Sequence, residues 1–364
     1  MASDFITRAE LINILSNMVD TLVKETTTVT ENVSGSLLIS AADGATLKGI
    51  KIGGDLILAP GVTKDVTLVD CVIQGNIRNY GTGEVRFEAP QITPESTAAK
   101  PSEVYKPGAT LDRTLEYGGK TVPIYRDRPL NVFSDVDFIW TDEENENQRR
   151  LEYLGGEFRT RYGIDVSSFQ GEIDWDAVAD DNIDFAMVRV GFRGTGTGSL
   201  NTDKYYEQNI RGAMRAGLET GVYFFAQAVT VEEAIEEAEY VISLLDGLDI
   251  NGPVAYDWEM HDSTYRVYGT SPEMATACAV AFCERIKDAG YTPMVYGGTY
   301  VTYMKYDQGA LADYLSWYPE YKSEKSEKLC PTLVYHMDYW QFSSTRAVAG
   351  INGRVDMNIQ FIRR

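Results

Sequence analysis

Asp257 and Glu259, two carboxylates two residues apart, close an apolar run that starts behind Gly252 and Pro253. A short apolar run after such chain-breaking residues is typical of a strand buried on both faces. Side chains alternate along a strand that rises about 3.3 Å per residue, so the two carboxylates share one face with Cβ atoms roughly 6–7 Å apart. The sequence therefore predicts a pair of acids at the end of a buried strand.

The neighbourhood of this pair holds no compensating cation. No Lys or Arg occurs within five positions of Asp257 or Glu259. Like charges held together at a strand end raise the pKa of at least one partner, and such arrangements concentrate at catalytic sites. General acid chemistry with a second carboxylate is one interpretation, and a solvated acidic turn is the other. The spacing alone leaves both open.

The composition limits the classes of protein to consider. The 364-residue chain is long enough for two or three domains with at least one sizeable core. A formal net charge of −21 argues against nucleic acid or anionic membrane as a partner, because phosphate binding requires clustered Lys and Arg. No stretch reaches the roughly 18 apolar residues of a membrane span. The first residues lack the apolar core of a signal peptide, which leaves a cytoplasmic protein or a chain that has lost its signal.

Cysteine and histidine are scarce. The cysteines are irregularly spaced, which suits buried free thiols better than a disulfide framework or a zinc site; they are Cys71, Cys278, Cys283 and Cys330. With only His261 and His336 available, a His-rich metal centre or a Ser-His-Asp hydrolase has little to draw on. We expect no metal and no other cofactor, so carboxylate chemistry remains.

A helix is predicted near the start of the chain. Thr7 and Glu10 have the spacing of a capping box, and apolar residues follow at helical intervals. This pattern predicts an amphipathic helix over residues 7–24, within an N-terminal helical segment at 1–30.

A short internal repeat follows this helix. Gly35, Gly54 and Gly75 each open an apolar strand, at separations of 19 and 21 residues. A period near 20 predicts an all-β, solenoid-like domain over 31–88, with a β-sandwich fragment as the alternative. So few coils cannot seal both ends of their own core. We therefore expect the helix to cap one end or the segment to oligomerise.

Two connecting regions lead to the C-terminal part. Residues 89–110 contain four prolines among small polar residues, the composition of an extended linker. Residues 111–160 are predicted to form a small β extension, with a hairpin turn at Gly118 and Gly119 between two strand-like runs.

From residue 161 onward, strand-like and helix-like segments alternate, the pattern of an α/β fold with a parallel sheet. Strands are predicted at 162–166, 185–190, 221–226, 253–258, 292–296, 315–318, 335–342 and 354–361. Helices are predicted at 203–216, 231–245 and 272–289, whereas the later connections are too short or irregular for crossover helices. We predict a modified TIM-like β/α barrel over 161–364, with helices missing in the last third.

Such a barrel would bring distant acids together. Active sites of β/α barrels lie at the C-terminal ends of the strands. Asp165 ends the first predicted strand, Asp257 and Glu259 end the fourth, and Asp356 lies in the eighth. The first and eighth strands are neighbours in a closed barrel, and the fourth faces them across the mouth. Convergence of these acids favours a catalytic site over a solvated turn.

Several segments, in one order, resemble glycoside hydrolase family 25, the family of Chalaropsis-type lysozymes. They are YGIDVSSFQG at 162–171 with IDW at 173–175, FAMVRVG at 185–191, GVYFFA at 221–226, PVAYDWE at 253–259, WQFSS at 340–344 and VDMN at 355–358. Any one of these motifs is weak evidence alone. Their shared order over residues 162–361 makes the resemblance specific.

The resemblance implies cleavage of the β-1,4 bond between N-acetylmuramic acid and N-acetylglucosamine in peptidoglycan glycan strands, without a metal. It implies that Glu259 is the general acid and Asp257 the second catalytic carboxylate, with Asp165 and Asp356 holding substrate or tuning the pair. We expect burial and the charge of Asp257 to keep Glu259 protonated. Inversion, retention through a covalent intermediate and substrate-assisted retention, in which Asp257 orients the acetamido group, all remain open.

Residues near the strand ends are candidate substrate contacts, because aromatic faces can stack on sugar rings. The aromatic candidates are Tyr223, Tyr296, Trp317 and Trp340, and the amide of Gln341 is a further candidate. The resemblance favours Tyr223 and Trp317, because the family motif has aromatic residues there. An extracellular or cell-surface location follows from the substrate, and residues 1–88 are left with oligomerisation or surface attachment as roles. The alternatives are a catalytically inactive wall-binding or structural surface protein, and a chitin hydrolase.

Overall fold

The structure, a computed structural model, describes residues 21–69, 71–73, 77–88, 101–108, 110–142 and 146–364. The chain divides into two compact units, Met1–Thr97 and Ala98–Arg364. Each unit has a hydrophobic core of its own.

Short parallel strands build the first unit. They are β1 (Thr21–Val23), β2 (Thr28–Val29), β3 (Leu37–Ile39), β4 (Ala45–Lys48), β5 (Lys51–Ile52), β6 (Leu56–Leu58), β7 (Val66–Val69), β8 (Val72–Ile73), β9 (Ile77–Asn79) and β10 (Val85–Glu88). One sheet has the order β1-β3-β6-β9, a second has the order β10-β7-β4-β2, and β5 pairs with β8. Leu37, Leu56 and Ile77 are register partners, so the repeat intervals of the sequence are the spacing between paired strands.

Aliphatic side chains from these sheets form the core of the first unit. Leu37, Leu47 and Leu56 are fully buried in it. The turn before β4 needs glycine: Gly44 has a φ of +77°, and a Cβ there would lie 2.0 Å from the carbonyl oxygen of Asp65. Glycine therefore allows the adjacent turns of the stack to approach closely.

The helix predicted over 7–24 is wrong at its C-terminal end. Residues 21–23 form strand β1, which pairs in parallel with β3, and residues 28–29 form strand β2. Thr21 and Val23 are β-branched, and Val23 is buried in the core, so pairing with strand β3 outweighs helical periodicity here. The rest of the predicted helix lies outside the described residues.

Two hairpins and a helical turn precede the barrel in the second unit. They are α1 (Pro101–Val104), β11 (Leu111–Tyr117) with β12 (Lys120–Tyr125), and β13 (Phe138–Trp140) with β14 (Leu151–Tyr153). The predicted hairpin turn is confirmed, because Gly118 and Gly119 both have positive φ between antiparallel strands. Ile124 and Phe138 are buried in the core that the barrel also uses.

Residues 101–108 of the predicted linker pack on the second unit. Val104 and Tyr105 are partly buried against its core. The amide of Gly108 donates to Asp307 Oδ2 at 2.9 Å. This part of the chain is therefore fixed by contacts and does not act as a free spacer.

An eight-stranded barrel forms the rest of the unit. Its strands are β15 (Phe158–Val166), β16 (Phe185–Arg193), β18 (Glu219–Ala226), β19 (Val254–Trp258), β20 (Pro293–Tyr296), β21 (Leu315–Pro319), β22 (Tyr339–Arg346) and β23 (Val355–Arg363), and β17 (Leu200–Thr202) pairs with β16 outside the ring. The helices are α2 (Trp175–Asp180), α3 (Tyr206–Arg215), α4 (Val231–Leu244), α5 (Pro272–Asp288) and α6 (Thr299–Met304). Each predicted strand and each predicted helix of this region is present. In the described part of the chain, no helix combines the length and apolarity needed to cross a bilayer.

The last strand departs from the predicted parallel arrangement. β23 runs antiparallel to both of its neighbours, β22 and β15, while the pairing of β15 with β16 is parallel and closes the ring. Only residues 347–354 join β22 to β23, which is too short for the crossover that a parallel pair requires. The reversal places the start of β23, with Asp356, beside the C-terminal ends of the other strands.

Large side chains fill the barrel interior. This inner cluster contains Phe185, Met187, Ala255, Met294, Tyr296, Trp317 and Tyr339. Gly163 leaves room for it, because a Cβ there would lie 2.3 Å from the ring of Phe185. The interior is thus a packed core, so a site can form only at an end of the barrel.

Candidate active site

The predicted acids meet at the C-terminal mouth of the barrel. Asp165 near the end of β15 is the direct register partner of Asp356 on β23. Asp257 lies in β19, and Glu259 follows that strand directly. Asp165 and Asp257 are 6% and 5% exposed, whereas the side chain of Glu259 is 26% exposed. The negative charges of Asp165 and Glu259 both act on Asp356, as expected if the acids share one site.

Two side-chain amide groups form hydrogen bonds to Asp165. Asn358 Nδ2 and Gln341 Nε2 each donate to Asp165 Oδ2 at 2.8 Å. Trp317 Nε1 donates to Asn358 Oδ1 at 2.8 Å, and this bond fixes which end of the amide faces the acid. The hydroxyl of Tyr296 donates to Gln341 Oε1 at 3.1 Å and fixes the second amide in the same way.

These bonds compete with the effect of burial. Burial raises the pKa of Asp165 to about 6, although the two amide donors act in the opposite direction. Burial and the charges of Asp165 and Glu259 raise the pKa of Asp356 to about 8. At neutral pH, Asp165 is therefore mostly ionised and Asp356 mostly protonated.

Asp257 and Glu259 behave as one proton-sharing pair. Burial, and next the charge and hydrogen bond of Glu259, raise the pKa of Asp257 well above its ordinary value, while Arg189 acts against the rise. Burial also raises the pKa of Glu259, opposed by His261, whose Nε2 lies 3.3 Å from Glu259 Oε2. A hydrogen bond between two carboxyl groups requires one proton. The pair thus retains a proton at a pH where isolated carboxylic acids are ionised.

The raised pKa of Glu259 agrees in direction with the expectation from the sequence. Burial is its largest cause, and the charge of His261 and the hydrogen bond with Asp257 act against it. Asp257 is the more deeply buried partner and has the stronger upward shift of pKa.

Three of the predicted aromatic residues form the floor beneath these acids. Tyr223 and Trp317 meet edge to face with ring centroids 5.8 Å apart, and Tyr296 and Trp317 do so at 4.9 Å. Tyr296 and Trp317 are buried, and Tyr223 is half-buried. Burial raises the pKa of Tyr223 and Tyr296 well above the ordinary value, so both hydroxyls stay protonated donors.

Comparison with known proteins assigns the chain to a family. Residues 164–351, more than half of the chain, match the sequence model described as Glycosyl hydrolases family 25. The chain belongs to this family. Asp165, Asp257 and Glu259 lie inside the matched segment, whereas Asp356 and Asn358 follow its end.

Individual relatives of this family 25 chain are distant. The Autolytic lysozyme of Clostridium acetobutylicum is 26% identical over 54% of this chain and 54% of its own length. Lysozyme M1 of Streptomyces globisporus is 27% identical over 54% of this chain and 66% of its own length. The chain thus spans less than two thirds of the length of these relatives. The spore cortex lytic enzyme SleM of Clostridium perfringens, a solved structure, has a TM-score of 0.48 at 22% identity, covering 55% of this chain and 67% of that one.

Trp340 is not part of the family 25 site. It is completely buried on the outside of the barrel wall, where it packs against Phe138 and Phe342. Its indole N–H donates to the carbonyl oxygen of Glu320 at 3.0 Å. Because side chains alternate along β22, Gln341 faces the site and Trp340 faces away from it. The prediction that Trp340 contacts substrate therefore disagrees with the structure.

Sequence reasoning missed four residues of this family 25 site. Asn358 could have been found, because it shares a strand face with Asp356 two positions earlier. Arg189 has the same inward register in β16 as Met187. Tyr321, whose hydroxyl donates to Gln341 Oε1 at 3.1 Å, comes from an irregular segment with no readable pattern. His261 likewise follows the strand end without periodicity. Among the described residues, no group of three His, Cys, Asp or Glu side chains is arranged to hold a metal ion.

Proposed function

We propose that this chain is a peptidoglycan hydrolase that cleaves the β-1,4 bond between N-acetylmuramic acid and N-acetylglucosamine. The observation that carries the proposal is the position of Asp257 and Glu259 at the barrel mouth, close enough to raise the pKa of Asp257, together with Asp165 and Asp356. Such a pair supplies the protonated acid and the carboxylate that glycoside hydrolysis needs. The family assignment and relatives named lysozymes support the same chemistry.

Glu259 is the proposed general acid. Its side chain is the more exposed member of the pair, so it can reach the glycosidic oxygen of a bound strand. With its proton on Glu259, the pair would present a general acid beside an ionised Asp257. That arrangement is the one that protonates a leaving group while a negative charge stabilises the developing positive charge on the sugar.

Asp257 is proposed to orient the substrate's acetamido group. Its Oδ1 is buried and has no hydrogen-bond partner among the described residues. A buried acceptor of this kind costs free energy unless a ligand donates to it, and the N–H of an acetamido group is a suitable donor. This supports substrate-assisted retention over direct attack by Asp257. NMR of the first-formed anomer separates inversion from both retaining routes.

The other site residues are proposed to hold the glycan. Asp356, protonated at neutral pH, can donate to a sugar hydroxyl, and Asp165 keeps a negative charge near the reacting carbon. Tyr223, Tyr296, Trp317 and Gln341 support this arrangement from the barrel floor. Of these, Tyr223 has the most exposed ring and is the best placed to touch substrate.

The test is the substitution Glu259→Gln, which keeps the shape and removes the acid. We expect clearing of purified cell walls to fall on the order of 10²–10⁴-fold, with unchanged circular dichroism and thermal unfolding. Glu207→Gln, an exposed glutamate on α3, is the matched control and should retain full activity. Retained activity in Glu259→Gln overturns the assignment.

The alternative, an inactive wall-binding or surface protein, gives a different result in this assay. A protein that only binds would sediment with walls without clearing them, in the wild type as well as in the variant. A chitin hydrolase would instead clear chitin and release no muropeptides from walls.

Further proposals concern the rest of the chain. The uniformly parallel pairing of the described strands supports a solenoid-like first unit, and the short late connections support a TIM-like barrel that lacks helices in its last third. We propose that residues 1–88 oligomerise or attach the enzyme to a surface. Action on cell walls favours an extracellular or cell-surface location.

A further inference from the structure

Phe169 is held in solvent at the rim of the barrel mouth. It lies in the single turn Ser168–Gln170 that directly follows β15, and it is 85% exposed. An apolar side chain stabilises a fold by being buried, so a ring this exposed contributes little to folding. An exposed aromatic ring beside a polar site needs another explanation.

The turn beneath the ring is fixed by polar contacts. Ser167 Oγ accepts the amide of Phe169 at 3.2 Å, and Gln170 Oε1 accepts the amide of Ser167 at 2.9 Å. The amide of Ser168 donates to Asp203 Oδ2, also at 2.9 Å. None of these bonds uses the ring of Phe169. The ring is therefore displayed by a rigid support and does not belong to a loosely packed loop.

One face of the ring is already occupied. The guanidinium of Arg189 lies 5.2 Å from the centroid of the Phe169 ring, within cation–π range. Asp203 Oδ2 accepts from Arg189 Nε at 3.0 Å and from Nη2 at 2.8 Å, and Nη2 also donates to Ser168 Oγ at 3.2 Å. These contacts fix the back of the ring and leave its front open to solvent.

The same arginine connects the ring to the acids. Arg189 opposes the rise in the pKa of Asp257, so its charge is felt at the catalytic pair. The turn itself begins three residues after Asp165. Phe169 thus belongs to the rim of this site.

We propose that Phe169 is a stacking platform for a pyranose ring of the glycan strand, in a subsite beyond the cleaved bond. This inference rests on the proposed function. A flat aromatic face open on one side matches the apolar C–H face of a sugar. The peptide stem is the poorer occupant, because Asp203 neutralises Arg189 and the chain has a net charge of −21. An acidic peptide stem is therefore not attracted electrostatically to the position of Phe169.

The test compares three substitutions in the full chain with an equally exposed control. Phe169→Ala removes the platform, Phe169→Leu keeps an apolar side chain without a ring, and Phe169→Trp keeps a ring. Val136→Ala is the control, because Val136 is also 85% exposed and belongs to the β extension. The substrates are purified glycan strands of increasing length, with kcat and KM measured for each.

We expect Phe169→Ala and Phe169→Leu to lower kcat/KM on long strands roughly tenfold, mainly through KM, which corresponds to about 1.4 kcal/mol. The loss should shrink as the strands shorten, and Phe169→Trp and Val136→Ala should match the wild type. A Leu variant as active as the wild type overturns the stacking role. An equal loss at every strand length, with Trp included, indicates damage to the turn and also overturns it.

A second measurement separates this inference from the proposed function. If the wild type fails to clear walls, the proposed function fails, and wall sedimentation of Glu259→Gln with and without Phe169→Ala then decides on the platform. Weaker retention of the double variant supports it, and equal retention overturns it. If the wild type clears walls and Phe169→Ala clears them equally, only the platform fails.

Discussion

Buried carboxylates occur in two regions of the barrel and have different partners in each. On the outside, Glu237 of α4 is completely buried and accepts from Arg193 Nε at 2.7 Å. Glu236 and Glu233 on the same helix pair with Arg193 and Arg266. At the mouth, amides, hydroxyls and other acids surround the site carboxylates. In the described part of the chain, none of Asp165, Asp257, Glu259 and Asp356 forms an ion pair with Lys or Arg.

This difference in partners distinguishes acids with a structural role from the acids of the candidate active site. A cation beside a buried carboxylate lowers its pKa and fixes its geometry, whereas neighbouring acids raise the pKa and help it hold a proton. The outer network also supports the site, because the amide of Gln227 donates to Glu237 Oε1 at 3.0 Å and Gln227 Nε2 donates to the carbonyl oxygen of Glu259 at 2.8 Å. The paired acids thus position the backbone on which the unpaired acid acts.

Breaking the outer pair should have the largest effect on stability. Arg193→Met leaves Glu237 buried without its cation, which costs on the order of 3–5 kcal/mol of unfolding free energy. Burial already raises the pKa of Glu237 to about 7 against the pull of Arg193, so protonation relieves part of this cost at low pH. Denaturant unfolding at pH 5 and pH 8 should therefore show the larger loss at pH 8.

The double variant Arg193→Met with Glu237→Met is the control for this experiment. It removes both charges and should recover much of the lost stability. A double variant that is no more stable than Arg193→Met would show that packing of the arginine stem, and not the ion pair, matters at this position.

Neutralising a site acid should change the stability in the opposite direction. Folding raises the pKa of Asp356 from an ordinary value near 4 to about 8, so the folded state binds a proton that the unfolded state releases. That contribution to stability is complete below pH 4 and is lost as pH rises towards 8. Relative to the wild type, Asp356→Asn should therefore gain stability as pH rises from 5 to 8, by up to about 1.4 kcal/mol per pH unit.

Thermal and denaturant unfolding at several pH values measure this gain. Asp249→Asn, at an exposed position after α4, serves as the control and should follow the wild-type profile. Parallel profiles for Asp356→Asn and the wild type would show that Asp356 is ionised in the folded protein, contrary to the prediction.

The barrel strands and the positions of the acids could be predicted from the sequence, because both depend on short local patterns. Apolar runs bounded by Gly and Pro marked the barrel strands, and the position of each acid at a strand end followed from them. The placement of Trp340 depends on which face of β22 meets the core, which a short run such as WQF leaves ambiguous. The antiparallel direction of β23 instead follows from its short connection to β22. The helix predicted over 7–24 is wrong at strand β1, because the pairing of β1 with β3 is a tertiary contact that local periodicity does not show. Arg189 and Phe169 meet only because two strands close the ring.

The contact between His261 and Glu259 at the barrel mouth allows a test with the smallest expected effect. His261 is the nearest basic side chain to Glu259, yet it is 63% exposed on its side chain and is followed by an acid, Asp262. When protonated it lowers the pKa of Glu259. Removing it in His261→Ala should therefore move the alkaline limb of the activity profile, where Glu259 loses its proton, to higher pH. His261→Gln keeps a hydrogen-bonding group without the charge and should move the limb in the same direction. A shift in the Ala variant alone would assign the effect to the hydrogen bond. An unchanged limb in both variants would mean that burial and Asp257 set the pKa of Glu259 without a contribution from His261.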